Sequence, residues 1–580
     1  MDTGGSARTV LDHGRGSATP IRTRATPTNR LRSLPVTRRR VATLLFALIA
    51  GAGLVARDAI TDAQWIGLLW LSWLPLLVAL WPDLPSTVPP LNRSAVRMAM
   101  IFLSIMALFA VQLLRIQVVM SDSISHRVGI DPETGDVVSN PLLTEQALSI
   151  PRGTIFDRDG RPLASTTLAE GVARRVYPEP GTVEITGYFS PMLYGATGLE
   201  ASWDDELAGR TGGNPFVRAL DDLRGLPPRG NNLHLTISAT VQEAAHAALG
   251  DRPGAAVVLD VQSGATLALA SAPSFDANTL VVVNAADREP AMAAWAALTT
   301  DPRFPLVQRV TSGLYPPGST FKTVTAAAAL ERGVAQPDAL YEDAGELTID
   351  GHVLVEQNRP NEEQTEWSLT EAFGWSLNVV FAQVGLQLGG GALADAARGW
   401  GWESTIPFDL PIEPSRVSVT PGFLDDPVAV AETAFGQGEL LASPLQMALV
   451  AAGVANEGEI MRPYLVERVS APDGATLEET RPSRWRRGVS VGAARETAGL
   501  MVAAVESGGL GSAFVPGYTI GGKTGTAETG SGDPHAWFIG FIGLPGEPPR
   551  YAVAVVIEAG GGGGQVALPI GRDLLVAAMG

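Results

Sequence analysis

Three uncharged apolar runs lie within the first 118 residues and constrain the fold more tightly than anything after them: Val41–Ala56, Trp65–Trp81 and Met98–Leu114. Each is 16 or 17 residues long, short of the roughly 20 that cross a hydrocarbon core as a helix. Flanking Trp and Arg side chains can close that gap by reaching toward the interface. One such run could be a buried helix of a soluble protein, but three in succession are expected to form a transmembrane region over 41–118. Arg placement predicts its orientation. Nine Arg precede the first run, Arg93 and Arg97 stand between the second and third, and the first link has only Arg57 beside Asp58 and Asp62. The N-terminus is therefore expected in the cytoplasm, and everything beyond about residue 118 outside the cell. A membrane-dipping hairpin in place of the first two crossings leaves that parity unchanged. A cleaved signal peptide fits poorly, because the first run starts late and others follow it.

Residues 1–40 are rich in Arg, Thr, Ser, Pro and Gly without apolar periodicity, and read as a disordered cytoplasmic tail. That tail holds nine Arg against two Asp, so the net charge of −18 falls on the body of the chain. An acidic body makes nucleic acid an unexpected partner. The chain has no Cys, which excludes disulfides, thiolate metal sites and Cys nucleophiles. The six His (His13, His126, His234, His246, His352 and His535) show no ligand-like spacing, and neither metal nor cofactor is expected.

From 119 to 235 the chain is irregular and turn-rich, with Asp159-Gly160 a hairpin signal. Gly187-Tyr-Phe-Ser-Pro191 and Tyr194–Glu200 read as bracing loops, and Asp157, Arg158 and Asp276 as structural residues beside turns. Beyond 236 the texture changes. Ser238 opens a helix ending at Gly250, and Ala255–Val261 and Ala265–Ser271 read as paired strands. Ser319–Glu331 is Ala-rich and helical, Ser368-Leu-Thr-Glu371 is a capping box, and Ala536–Leu544 and Tyr551–Ile557 are strands. Strands at both ends with helices between predict a sheet built from distant parts of the chain. The glycine run Gly560–Gly564 has no purpose legible in sequence.

Of 42 basic residues only two are Lys, Lys322 and Lys523. Arg stays protonated at any working pH, whereas a buried Lys can lose its proton. Ser319 precedes Lys322 by three, so the two share one face at a helix N-terminus. There the helix dipole disfavours a charged Lys, and a neutral one can take the serine proton. The Ser319 N–H is placed to stabilise an oxyanion. Ser-x-x-Lys alone is weak, arising roughly 7% of the time by chance at average composition. Ser376-Leu-Asn378 adds a hydroxyl and an amide at a helix start. Lys523-Thr-Gly-Thr526 adds a cation and two hydroxyls suited to an anionic substrate end, with Gly525 permitting close backbone approach.

Ser319-Thr-Phe-Lys322, Ser376-Leu-Asn378 and Lys523-Thr-Gly525, in that order, resemble the three motifs of penicillin-binding proteins and serine β-lactamases. Arg152-Gly-Thr-Ile-Phe-Asp-Arg-Asp-Gly160 resembles the pedestal signature of class B penicillin-binding proteins, and the short pedestal looks most like the actinobacterial type. Phe435-Gly-Gln-Gly438, Ser443-Pro-Leu-Gln446 and His535-Ala-Trp-Phe538 resemble stretches of their transpeptidase domain. The resemblance covers about residues 150–580. It implies an α/β (α+β) transpeptidase domain over 236–580, with a central antiparallel sheet flanked by helices, behind a mostly-β pedestal or dimerisation-like domain over 119–235.

The implied reaction is peptidoglycan D,D-transpeptidation in the bacterial cell membrane. Ser319 would attack the carbonyl between the terminal D-alanines of a stem peptide, with Lys322 as base and D-Ala leaving. An amine of a neighbouring stem would then resolve the acyl-enzyme. Ser376 and Asn378 would relay protons and hold the peptide, while Lys523, Thr524 and Thr526 would bind the substrate carboxylate. The N–H groups of Ser319 and Thr526 would form the oxyanion hole. β-Lactams would acylate the same serine, and a membrane glycosyltransferase of the shape, elongation, division and sporulation group would be the partner. Three crossings depart from the single anchor usual in class B. Alternatives of the same fold are a D,D-carboxypeptidase or β-lactamase, or a non-catalytic penicillin sensor or scaffold. Gly517-Tyr-Thr-Ile-Gly-Gly-Lys-Thr524 also matches the phosphate-loop pattern, but Pro516 before it and the glycines after it argue against the strand and helix such a loop needs.

Overall fold

The structure is a computed structural model that describes residues 34–56, 60–120, 129–130, 137–138, 141–169, 171–179, 181–211, 229–530 and 532–580. It divides into two compact units, one ending at Leu143 and the other beginning at Thr144. Residues 1–33 of the expected disordered tail lie outside the described residues, as does much of 119–143. The tail is shorter than expected, because α1 (Leu34–Val55) already includes Arg38, Arg39 and Arg40.

In the first unit α1 is followed by α2 (Asp62–Leu80) and α3 (Pro90–Leu114). Thr61 and Gln64 form a reciprocal capping box at the start of α2. Pro90 starts α3, where a missing N–H costs nothing. These starts lengthen the apolar runs. α2 and the stretch from Pro90 to Gln117 are long and apolar enough to cross a membrane. α2 and α3 run antiparallel, tied by Trp65 Nε1 donating to Gln112 Oε1 (2.5 Å) and Trp73 Nε1 to Ser104 Oγ (2.9 Å). Such side-chain bonds act as glue where no hydrophobic drive exists between helices. Arg39 reaches from α1 to Asp83 (2.8 Å) and to the Trp81 carbonyl (2.6 Å).

The second unit is built on two sheets. The smaller begins with β1 (Ile155–Phe156), β2 (Pro162–Ala169), β3 (Val172–Val176) and β4 (Asn232–Leu235). After α4 (Ala239–Leu249) come β5 (Gly254–Asp260) and β6 (Thr266–Ala272). Then follow α5 (Lys322–Glu331), α6 (Leu369–Trp375), α7 (Asn378–Leu388) and α8 (Pro444–Ala455). β7 (Val466–Ser470), β8 (Thr476–Glu479) and α9 (Val491–Glu506) precede the last strands, β9 (Thr519–Ala527), β10 (His535–Gly543) and β11 (Tyr551–Ile557), and α10 (Gly563–Met579) ends the chain.

The central sheet has the order β6-β5-β11-β10-β9 and is antiparallel throughout. β6 and β11 are buried along their whole length. α4 and α10 cover one face; α8 and α9 cover the other, with α5 packed on α9. All twelve residues of α8 are buried, as its apolar circumference requires. β9 stands at the edge, with one side of its backbone unpaired.

The smaller sheet has more strands than the central one but mostly shorter ones, in the order β8-β7-β4-β1-β2-β3. Two of its six strands come from 466–479, more than 200 residues beyond β4. The pedestal is therefore not continuous in sequence, which no local signal in 119–235 discloses. Asp157 braces the β1–β2 turn by accepting the N–H of Asp159 and of Arg161. The bracing loops prove to be that: Tyr194 stacks on Trp295 at 4.4 Å, and Tyr188 meets Trp295 edge-on. Glu200, fully buried, holds Arg152 (2.8 Å) and Arg175 (2.5 Å) and accepts the Tyr177 hydroxyl (3.3 Å). Replacing Glu200 by Ala leaves the buried Arg175 without a carboxylate and Arg152 with Asp204 alone. We expect a loss of about 3–5 kcal/mol in urea unfolding, the range for a broken buried ion pair.

Candidate active site

The chain reaches Ser319 through a segment pinned on several sides. Tyr315 exchanges both backbone hydrogen bonds with Ala442 (3.0 and 2.8 Å). Trp537 Nε1 donates to the Pro316 carbonyl (3.0 Å), and Thr320 Oγ1 to that of Pro317 (2.6 Å). Gly318 donates its N–H to the Gly436 carbonyl (3.0 Å). Gly436 has φ +90°, and a Cβ there would sit 1.8 Å from the Gly318 carbonyl oxygen. The Phe435–Gly438 stretch thus exists for a crossing that only glycine permits. Ser319 lies in a 3₁₀ turn, Gly318–Phe321, that leads directly into α5.

Lys322 is wholly buried. Its Nζ lies 2.6 Å from the Ser376 carbonyl, 2.8 Å from Asn378 Oδ1 and 3.3 Å from Ser376 Oγ. The two short contacts are to carbonyl-type acceptors, which matches the two hydrogens of a neutral amine and leaves its lone pair for a hydroxyl. Burial, with the Lys523 charge adding to it, pushes the Lys322 amine well below its ordinary range, while Glu356 opposes the shift. Lys523 is equally buried. Its Nζ donates to the Thr524 carbonyl (3.1 Å) and faces the Phe373 ring at 5.7 Å, and desolvation lowers its pKa to about 7.

Ser376 follows the capping-box helix α6 in the left-handed conformation, φ 63° and ψ 39°. Asn378 is the first residue of α7. On β9, alternation puts Thr524 and Thr526 on one face and Lys523 and Gly525 on the other. Ser319, Ser376, Asn378, Thr524 and Thr526 line one cleft of 630 Å³, together with Val353–Val355, Asn358, Glu432 and Gln437. Lys322 and Lys523 lie beneath its floor. Seven of the eight predicted positions therefore either line the cleft or, as Lys322 and Lys523, bond directly to residues that do.

Gly525 and Lys523 complete the set from below. A Cβ on Gly525 would press on the Pro317 carbonyl at 2.8 Å, so Gly525 serves the approach of the Ser319 turn to β9. One member of the glycine run, Gly563, has the same explanation. A Cβ on Gly563 would meet the Gly525 carbonyl at 2.3 Å and that of Trp537 at 2.5 Å, and the Gly563 N–H donates to Thr526 Oγ1 (3.3 Å). The phosphate-loop reading fails here. Gly521, Gly522, Lys523 and Thr524 lie inside a strand, and side chains at the two glycines would strike the rings of Phe541 and Phe538. Glu356, Gln357 and Asn358 were not singled out in sequence, because they sit in an irregular loop without periodicity or motif. Among the described residues no group of three or more His, Asp or Glu is placed to hold a metal ion.

Residues 254–576 match the family model described as penicillin-binding protein transpeptidase domain, and 152–233 the penicillin-binding protein A dimerisation domain. The peptidoglycan D,D-transpeptidase PbpA of Mycolicibacterium smegmatis is 38% identical over 440 residues, 72% of this chain and 87% of that protein. Penicillin-binding protein 3 of Bacillus subtilis is 31% identical over 418 residues, 65% of this chain and 59% of that protein. Among solved structures, penicillin-binding protein A from M. tuberculosis as a penicillin G acyl-enzyme complex superposes with a TM-score of 0.68 at 37% identity, covering 74% of this chain and 100% of that one.

Both lysines bind protons more weakly folded than unfolded, so between the folded and the ordinary pKa the unfolded chain holds the extra proton and stability rises with pH. For Lys523 that window opens near pH 7 and runs to 10.5. In Lys523→Met the slope of unfolding free energy against pH between pH 8 and 9 should fall by about 1.4 kcal/mol per pH unit, one proton's worth. Gly563→Ala should cost about 1–3 kcal/mol in the same assay, as overpacking against backbone.

Proposed function

The chain belongs to the penicillin-binding protein transpeptidase family, and on that premise we propose that Ser319 is the nucleophile and Lys322 the base of a peptidoglycan D,D-transpeptidase. The activity is cross-linking of stem peptides ending in D-Ala-D-Ala, and β-lactams bind covalently. One observation carries the residue assignment. A fully buried lysine, held by Ser376 and Asn378 and disfavoured as a cation, sits one helical turn from a serine that opens onto the cleft.

In this reading the neutral Lys322 amine takes the Ser319 proton as Oγ attacks the penultimate D-Ala carbonyl. The oxyanion is stabilised by the N–H groups of Ser319 and Thr526. The proton passes to the departing amine of the terminal D-Ala through Ser376 Oγ, leaving an ester on Ser319 and a neutral Lys322. An acceptor amine then attacks the ester, its proton returns by the same route to Ser319, and a new amide leaves. Thr524 and Thr526 hold the donor's terminal carboxylate. The free edge of β9 suits an extended peptide, since it offers unpaired backbone groups along the cleft. Asn378 orients the donor amide, and Lys523 keeps a second positive charge near Lys322.

The transpeptidase domain is taken as 236–580 and the pedestal as 119–235, with the 466–479 hairpin lent to the pedestal sheet; the family matches at 254–576 and 152–233 support that division. The apolar N-terminal helices anchor the protein in the membrane. Arg38–Arg40 at the start of α1 and Arg93 and Arg97 at the start of α3 support a cytoplasmic N-terminus and an extracellular catalytic domain. A membrane glycosyltransferase of the shape, elongation, division and sporulation group is the proposed partner.

The test is labelling of the full chain in detergent micelles with a fluorescent penicillin. Wild type should label with an adduct lasting hours, Ser319→Ala not at all, and Lys322→Arg at least a hundredfold more slowly, as for loss of a general base. Labelling that survives Ser319→Ala overturns the nucleophile, and rapid labelling of Lys322→Arg overturns the base.

A further inference from the structure

Behind the cleft floor lies a carboxylate with no part in the steps above. Glu356 is buried. Its Oε2 accepts the N–H of Val379 (2.8 Å), and its Oε1 the N–H groups of Gln357 (2.9 Å) and Asn358 (3.0 Å). Val379 is the second residue of α7, whose N-cap residue is Leu377. A leucine has no acceptor to offer, so Glu356, distant in sequence, supplies what an N-cap side chain ordinarily would. A carboxylate is also the charge that a helix N-terminus favours. Asn358, oriented by the same carboxylate through its backbone, donates its side-chain amide to the Ser376 carbonyl (3.1 Å). That carbonyl also receives Lys322. Ser376 is held in the left-handed region, uncommon for a residue other than glycine, and its carbonyl is fixed from two sides.

We propose that Glu356 is a positioning residue for acylation: it braces the Ser376-Leu377-Asn378 turn from behind and faces Lys322 with a negative charge that opposes Lys523. The charged groups around Lys322 are few. Lys523 approaches from β9 and disfavours a second cation, while Glu356 favours it. Behind Glu356 stand Asp343, whose own carboxyl is raised by burial, and Arg359, which partly offsets it. Three of the roughly four lone pairs of the Glu356 carboxylate are taken by backbone N–H groups, and Glu356 is not among the residues that line the cleft. It therefore acts through Lys322 and Ser376 and not on the substrate. The inference rests on Ser319 and Lys322 being nucleophile and base.

The experiment measures the rate of acylation by a fluorescent penicillin from pH 5 to pH 9, on the full chain in detergent micelles. In Glu356→Gln the plateau rate should fall tenfold or more. The acid limb should move to lower pH, because removing the negative charge makes Lys322 harder to protonate. A brace without electrostatic influence would lower the rate and leave the limb in place. That result, or a wild-type rate, overturns the proposal. Asn358→Ala removes one donor to the Ser376 carbonyl and no charge; its rate should fall several-fold with the limb unmoved. Should Glu356→Gln not fold, a wild-type rate in Asn358→Ala overturns the proposal. Failure of wild type to label through Ser319 defeats the parent assignment instead, and the two failures are distinct.

Discussion

A primary amine buried from solvent at the base of a cleft is the constraint to which the rest of the second unit answers. The Lys322 amine is held well below the ordinary lysine range because it is buried and a second lysine stands nearby. Left unpartnered it would be a costly void of polarity. Its two hydrogens instead meet the Ser376 carbonyl and Asn378 Oδ1. Those acceptors are useful only if α6 ends, and α7 begins, at one place. The left-handed Ser376, the capping box at Ser368 and the carboxylate of Glu356 all serve that placement.

The second constraint is space. Two backbone segments converge on the serine turn, the edge strand β9 and the loop at Gly436, and the start of α10 backs β9 in turn. Each approach is closer than a Cβ allows, at Gly525, Gly436 and Gly563. Backbone contact at this distance gives the turn little freedom to shift when a nucleophile must meet a carbonyl. Trp537 contributes from the neighbouring strand by bonding the Pro316 carbonyl. The glycines are thus spacers of zero thickness in a stack of main chains.

Much of this was legible in the sequence where the cause is local. The Ser368–Glu371 box, the β5–β6 hairpin and the helix stop at Gly250 follow from residues a few positions apart, and the observed bounds differ from expectation by one or two residues. The Ser319–Lys322 spacing was legible for the same reason. What escaped depends on partners remote in sequence. The loop holding Glu356 and Asn358 has no pattern, and its meaning comes from Val379 and Ser376. The glycine run was visible but mute, because its neighbours lie in β9 and β10. The start of α1 at Leu34 was missed because Arg38–Arg40 resemble a tail until they are seen as the polar end of a helix.

The hairpin formed by β7 and β8 completes a sheet begun some three hundred residues earlier. During synthesis β4 must therefore wait with one flank open while Ser319, the helices around it and the cleft walls emerge. The stalk and the catalytic body consequently mature together, and neither can be traded between relatives at residue 235 without also carrying the hairpin.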